Sequence, residues 1–69
     1  MTTFNLPTFS TFREAEAPCV IEEKVGECHR FTLMGLDENR CGYCVDIMEH
    51  QDRGVVVRAM LNAHPEIAA

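Results

Sequence analysis

The spacing of the cysteines is the feature of this sequence that best fits a chemical role. Cys41 and Cys44 are separated by two residues, and Cys19 and Cys28 are the only other cysteines in the chain. Structural zinc takes four ligands in a tetrahedron, and two cysteines at this spacing reach one ion without strain. The four thiols therefore predict one structural zinc ion.

A histidine beside the second cysteine is a substitute ligand. Neighbouring residues on a strand point to opposite faces, so Cys28 and His29 cannot both face the same ion. Four thiolates, or three thiolates and one imidazole, fill the coordination sphere and leave no open position for a substrate. We therefore expect a structural metal and no enzymatic activity. His50 and His64 have no neighbours at metal-ligand spacing, and we expect them to be solvated or to cap a helix.

The length and the charge of the chain limit the classes of function. A chain of 69 residues forms one domain, and an apolar core of that size seldom stabilises a fold without a metal, disulfides or a partner. Eleven acidic residues against six basic ones give a formal charge of −5, and the basic residues are scattered singly. A nucleic-acid-binding protein normally shows a basic patch. We therefore expect no direct nucleic-acid binding and a partner that is another protein.

The start of the chain indicates the compartment. Residues 1–7 contain no basic segment followed by an apolar run of signal-peptide length, and no stretch approaches the roughly 18 apolar residues of a membrane-spanning helix. These features predict a cytoplasmic protein without membrane association. Thiols are kept reduced in the cytoplasm, where cysteine clusters more often bind metal or do redox chemistry than form disulfides.

A β-hairpin is predicted ahead of the Cys41–Cys44 pair. Residues 20–21 and 31–34 favour strands, and Gly26 between them tolerates the positive φ of a hairpin turn. Side chains on a strand alternate between its two faces. The second strand would then present His29, Phe31 and Leu33 on one face and Cys28, Arg30, Thr32 and Met34 on the other.

A helical pattern follows a polar loop at residues 35–40. Between residues 44 and 63, apolar side chains recur at spacings close to three, four and seven, which predicts an amphipathic helix. These side chains are Val45, Met48, Val55, Val56, Ala59 and either Met60 or Ala63. Gly54 disfavours a helix interior, so two shorter helices joined at residues 52–54 are the alternative. His64 and Pro65 predict the end of the helix. The predicted fold class is α+β, a hairpin followed by one long or two short C-terminal helices.

The position of the Cys41–Cys44 pair at the start of this helix resembles treble-clef zinc fingers. In that family a hairpin is followed by a helix whose first turn supplies the last two metal ligands. The resemblance covers roughly residues 19–60 and implies a small zinc-finger-like domain. The first pair of cysteines departs from the family pattern, because treble clefs take those ligands from a tight knuckle and Cys19 lies nine residues before Cys28.

Two surfaces are predicted to bind the partner. Residues 1–17 are expected to form a flexible or partly extended arm ahead of a zinc-binding core at residues 18–69, with Pro18 as the boundary. Three phenylalanines of the arm are candidate contacts, namely Phe4, Phe9 and Phe12. Val57 and Leu61 lie off the predicted helical stripe, where they would contact a partner or form a homodimer through the C-terminal helix. The favoured function is a protein-interaction or regulatory module.

Two other functions stay open. Cys-Gly-Tyr-Cys resembles the active-site dithiol of thioredoxin-like and glutaredoxin-like proteins, which implies thiol redox or metal handling. Only 25 residues follow Cys44, however, too few for the strands and helix that complete that fold. The acidity fits a small inhibitor, of the kind that phages encode, that imitates nucleic acid or masks a basic surface of a host enzyme. Seven acidic residues precede the predicted helix: Glu14, Glu16, Glu22, Glu23, Glu27, Asp37 and Glu38.

Overall fold

A computed structural model describes residues 4–67, which form one mixed sheet with a helix packed on one face. The strands are β1 (Thr8–Phe9), β2 (Cys19–Val25), β3 (Cys28–Leu36) and β4 (Gly42–His50), followed by helix α1 (Arg53–Ala63) and a 3₁₀ turn (Pro65–Ile67). The strands lie in the order β1-β2-β3-β4, with β1 parallel to β2 and the other pairs antiparallel. The α+β class predicted from the sequence is confirmed.

The β2–β3 hairpin forms at the predicted turn. Val25 pairs with Cys28, which leaves a two-residue loop whose first residue, Gly26, has a φ of 61°. Only glycine adopts this left-handed conformation at no steric cost, and glycine at the first loop position is typical of a type II′ hairpin turn. The predicted alternation also holds, because Phe31 and Leu33 both lie in the core beneath the helix.

A second turn connects β3 to β4 through residues 37–41. The carboxylate of Asp37 accepts hydrogen bonds from the backbone N–H groups of Asn39 and Cys41, each at 2.8 Å. Arg40 takes a positive φ of 64°, and its N–H donates to the carbonyl of Asp37 at 3.0 Å. The side chain of Asp37 thus closes a second hairpin.

The prediction of a helix from residue 44 is wrong, because residues 42–50 form strand β4. Tyr43, Val45 and Ile47 are aromatic or β-branched residues at every second position, which favours a strand. The strand also satisfies the backbone of β3 on the side away from β2. Val45 and Met48 have helical spacing relative to the apolar residues beyond 53. The predicted helix therefore combined two separate elements, β4 and α1.

Helix α1 begins at the point where a break was predicted. Asp52 is the N-cap residue, and its carboxylate accepts a hydrogen bond from the N–H of Gly54 at 2.9 Å. The helix ends as predicted before Pro65, with the N–H of His64 donating to the carbonyl of Met60. Across the described residues, no helix has the length and apolar character needed to cross a membrane.

The core lies between α1 and one face of the sheet. Its buried members are Val20, Phe31, Leu33, Val56, Val57, Met60, Leu61 and Ile67. The expectation that Val57 and Leu61 face a partner is therefore wrong, whereas a homodimer through other residues of the helix stays a prediction. Once the helix begins at Arg53, its largest apolar side chains decide which face is buried, and the smaller Ala59 and Ala63 are left exposed.

The N-terminal segment is part of the fold rather than a separate arm. The ring of Phe4 lies 5.7 Å from that of Phe31, and the N–H of Asn5 donates to the carbonyl of Ile67 at 2.7 Å. β1 then pairs with β2, and residues 12–17 cross the sheet face opposite the helix. The first three residues of the predicted arm lie outside the described residues. The boundary drawn at Pro18 therefore does not separate two structural units.

Candidate functional site

The four predicted zinc ligands are spread over the sheet. Cys28 begins β3 beside the hairpin turn, whereas Cys44 pairs with Met34 near the other end of that strand. Six residues of strand separate the two positions, which is about 20 Å at 3.3 Å per residue. His29 lies next to Cys28, so as a substitute ligand it is also too far from Cys44 to share an ion with it. A single ion bound by thiolates from both ends of β3 does not fit this sheet.

Cys19 and Cys44 come closer, but a strand separates them. Both pair with Met34, Cys19 from β2 and Cys44 from β4, so their backbones are two strand spacings or about 10 Å apart. The side chain of Cys19 is completely buried, and this burial raises the pKa of its thiol. Cys44 is exposed. Their environments favour a structural role for Cys19 and leave only Cys44 accessible.

The Cys41–Cys44 pair is extended instead of helical. Cys44 lies within β4 and Cys41 closes the preceding turn, so no helix N-terminus acts on either thiol. Three extended residues place the two Cα atoms about 10 Å apart, beyond the 4.4–6.8 Å that a disulfide spans. Within residues 4–67, no three His, Cys, Asp or Glu side chains converge on one metal position. The pair is neither a preformed metal clamp nor a preformed redox dithiol.

β4 is the most exposed element of the sheet. Within the described chain it pairs only with β3, so it forms an edge strand of nine residues. Three of its large side chains are exposed to solvent: Tyr43 by 49%, Val45 by 38% and Ile47 by 54%. A register shift between Leu33 and Met34 marks a bulge in the β3–β4 ladder. An edge strand of this length and composition is a template for pairing with another chain.

Two polar contacts fix β4 in place. His64, just after the helix, donates from Nε2 to Oδ2 of Asp46 at 2.8 Å. This hydrogen bond is the main cause that lowers the pKa of Asp46. On the opposite face, Nε of Arg30 donates to Glu49 at 3.1 Å. The strand is therefore held from both faces while its free edge stays open.

A groove lies on the sheet face opposite the helix. It has a volume of about 370 Å³ and is lined by Phe12, Glu23, Arg30, Thr32, Ile47 and Glu49. Phe12 is 53% exposed and forms one apolar wall with Ile47 as the other. Thr32 forms the floor, and its hydroxyl group has no hydrogen-bond partner in the described part of the molecule. Sequence reasoning identified only Phe12 as a contact residue here.

One of the acidic residues expected to cluster is paired with a cation. Glu22 accepts two hydrogen bonds from Arg53, at 2.7 Å and 3.0 Å, and these contacts raise the pKa of the guanidinium. The guanidinium also lies 5.4 Å from the ring centre of Phe31, which ties α1 to β3. Glu22, Glu23 and Glu14 border an open cleft of about 730 Å³ that Lys24 and His29 also line. Glu22 therefore has a structural role in this ion pair with Arg53.

Two more predicted contact residues lie in the N-terminal segment. Phe4 packs on the core and is only partly exposed, so it is not free to bind a partner. Phe9 is half-buried where β1 pairs with Ile21 of β2. Of the three phenylalanines, Phe12 alone presents most of its ring to solvent.

Comparisons with known proteins add no family to this description. No protein-family model matches the chain, and neither the curated proteins nor the solved structures give a match. The function must therefore be inferred from the geometry of the molecule itself.

Proposed function

We propose that this chain is a small, non-enzymatic interaction module that binds a partner protein by adding one of the partner's strands to β4. The observation that carries the proposal is the exposed edge of β4. An edge strand offers a row of backbone donors and acceptors that an extended peptide can pair with, and neighbouring side-chain sites then select its sequence.

The composition of β4 supports this use. Natural edge strands are commonly protected by lysine, proline, a short length or a bulge, and β4 has only the bulge near Val45. β4 is nine residues long and contains neither lysine nor proline. Its exposed side chains, Tyr43, Val45 and Ile47, are apolar or aromatic, which favours cross-strand contacts with an added chain.

Structural zinc is not part of this proposal. A treble-clef site requires a helix that starts at the second pair of ligands, whereas α1 begins at Arg53, nine residues after Cys44. The core under α1, together with the N-terminal segment, provides stabilisation that was expected from the metal. The exposed thiols of Cys41 and Cys44 then belong to the partner-binding end of the sheet.

A peptide-display selection tests the proposal. The folded chain is immobilised, binding peptides are selected, and their affinities are measured for two matched variants. Val45→Lys places a charge on the β4 edge, whereas Val25→Lys changes a valine of similar exposure, 40%, at the end of β2. We expect Val45→Lys to weaken binding by about tenfold or more and Val25→Lys to leave it unchanged. Equal effects of the two variants would contradict strand addition at β4.

A further inference from the structure

The bulge divides β4 into two segments. Cys44 and Asp46 pair with adjacent residues of β3, so Val45 between them is the extra residue of the bulge. From Asp46 to His50 the pairing with β3 continues without a shift. These five residues are therefore the longest regular part of the β4 edge, and an added strand finds the most regular template there.

Three side chains of this segment lie on the helix side of the sheet. Asp46 bonds to His64 just after the helix, and Met48 packs against the core. His50 is two residues farther along the strand and points to the same face. Nδ1 of the exposed His50 accepts a hydrogen bond from the N–H of Asp52 at 2.8 Å, so the neutral ring carries its proton on Nε2. His50 thus presents a donor on this face of the edge strand.

We propose that β4 pairs with β4 of a second copy of this chain, antiparallel and centred on Met48. The two copies are related by a two-fold axis, so the residue on the axis lies opposite itself. A pairing that uses all five regular residues places the axis at Met48, the middle one. Asp46 of each copy then lies opposite His50 of the other, and Ile47 lies opposite Glu49. The inference rests on the proposed strand addition at β4 and takes the partner from the same chain.

The polar groups of the segment are complementary to themselves in this register. Directly opposite side chains in antiparallel strands have Cβ atoms about 5 Å apart. Nε2 of His50 then donates to the carboxylate of Asp46 across the interface, and the symmetry makes this contact twice. The two oxygens of a carboxylate accept several hydrogen bonds, so Asp46 keeps its bond to His64.

The neighbouring symmetric registers fit less well. A centre at Glu49 places two carboxylates directly opposite each other, which is destabilising. A centre at Ile47 places the charged Asp46 opposite the apolar Met48 and extends the pairing to Val45 in the bulge. The centre at Met48 therefore has the best match of charge and regular backbone.

The apolar side chains of the segment become covered on both faces of the sheet. The two Met48 side chains meet at the axis, beside the core against which each one packs. On the opposite face, Ile47 is 54% exposed in the single chain and is covered by the stem of Glu49 from the second copy. Arg30 holds that carboxylate in place with a hydrogen bond of 3.1 Å. Burial of this apolar surface favours association.

Sedimentation equilibrium of the full chain measures the association. Concentrations between about 10 μM and about 1 mM cover dissociation constants in that range. A reducing agent prevents disulfides between the exposed cysteines of two copies. We expect the mean mass to rise with concentration towards that of a dimer. A chain that stays monomeric at the highest concentration would overturn the inference.

Nuclear Overhauser contacts between a labelled and an unlabelled copy test the register. Within one chain, Asp46 and His50 are four strand residues or about 13 Å apart, too far for such a contact. We expect the ring protons of His50 in one copy to contact Asp46 in the other. Contacts between copies that involve α1 or the β2–β3 turn, and not this pair, would overturn the proposed interface.

Three variants separate the specific contact from general repulsion. His50→Asp places two carboxylates opposite each other twice in the dimer and should raise its dissociation constant about tenfold. His50→Asn also removes the imidazole but keeps a donor, and it should stay within about threefold of the parent. Ser10→Asp adds the same charge beyond β1, at the other edge of the sheet, and should have no effect. Equal weakening by His50→Asp and Ser10→Asp would contradict the register.

The proposed binding of another protein has a separate readout in the peptide selection. If the chain stays monomeric and Val45→Lys weakens peptide binding more than Val25→Lys does, strand addition stands and the second copy is the wrong partner. If the dimer forms in the stated register and the two variants bind peptides equally, self-pairing stands and the binding of other strands fails.

Discussion

Cys19 and Cys44 are both cross-strand neighbours of Met34, on opposite sides of β3. β3 therefore lies between these two thiols. Cys28 is farther away, at the hairpin turn. Among the described residues these thiols do not converge on one metal position, and the zinc site stays a prediction.

The four cysteines should differ in reactivity. Cys19 is buried and its thiol pKa is raised, so iodoacetamide should modify it only after unfolding. Cys41 and Cys44 are exposed and should react quickly, with the half-buried Cys28 between these extremes. Time-resolved mass spectrometry of the alkylated native chain measures each site.

The same measurement in the presence of zinc is the control. Equimolar zinc should leave the rates at Cys41 and Cys44 unchanged, because no third ligand reaches them in the described fold. Protection of all four cysteines, reversed by a chelator, would restore the four-thiolate site and contradict the arrangement of the sheet.

Truncation of Leu61 should destabilise the chain. Leu61 is buried against the sheet, so Leu61→Ala should lower the free energy of unfolding by about 2–5 kcal/mol. Asn62 is exposed on the next position of the same helix, and Asn62→Ala should change it by less than about 0.5 kcal/mol. Urea denaturation followed by circular dichroism gives both values. A Leu61→Ala variant as stable as the parent would place this residue outside the core.

The N-cap of α1 should contribute measurably. Asp52→Ala removes the acceptor for the N–H of Gly54 and should cost about 1 kcal/mol of unfolding free energy. Asp52→Ser keeps an acceptor oxygen and should retain most of that stability. Equal losses in both variants would show that the hydrogen bond is not the source of the effect.

Stability should fall in acid partly through Asp46. The pKa of Asp46 is lowered in the folded chain, chiefly by the hydrogen bond from His64, so the unfolded chain binds a proton more readily. The contribution of this pair is therefore present above the ordinary pKa of an aspartate and is lost as the pH falls through the lowered value. Glu66 lies 3.8 Å from the other ring nitrogen and keeps the imidazole between two carboxylates.

Asp46→Asn isolates that contribution. Urea midpoints at about pH 6 and about pH 3 bracket the titration of a typical aspartate. The parent chain should lose more stability between these values than Asp46→Asn does. Glu38→Gln, in the exposed β3–β4 turn, should behave like the parent. If the parent and the Asp46→Asn variant lose the same stability in acid, the contact between Asp46 and His64 is not a source of the acid sensitivity.

Local signals in the sequence predicted several elements well. Gly26 between two β-favouring segments predicted the β2–β3 hairpin, and His64-Pro65 predicted the end of the helix. These features depend on the conformational preferences of a few adjacent residues, which can be recognised from the residue types alone. The α+β class followed from them.

β4 was missed because two periodicities overlap in its sequence. Val45 and Met48 fit a helical stripe, and Tyr43, Val45 and Ile47 fit a strand equally well. The choice depends on β3, which needs a partner along its second edge, and that requirement is not visible within a short window. Because residues 44–50 were assigned to the helix, the predicted apolar stripe was wrong, and Val57 and Leu61 were expected to be exposed.

The candidate site was harder to predict than the fold. The cysteine count favoured a metal, but whether four thiols meet depends on strand register, which places Cys28 and Cys44 at opposite ends of β3. The groove combines Phe12 from the N-terminal segment with residues of three strands, so it exists only in the folded chain. Glu23 and Thr32 line this groove, and neither carries a local sequence pattern that predicts this position.

Backbone amide exchange across β4 tests the central claim most directly. Hydrogen exchange of the full chain is followed by NMR, with and without a peptide obtained by display selection. If the peptide adds a strand, amides of residues 42–50 that exchange rapidly in the free chain should become protected by about tenfold or more, while those of α1 stay unchanged. Peptide binding that protects α1 or the hairpin turn and leaves the β4 amides in fast exchange would contradict the claim.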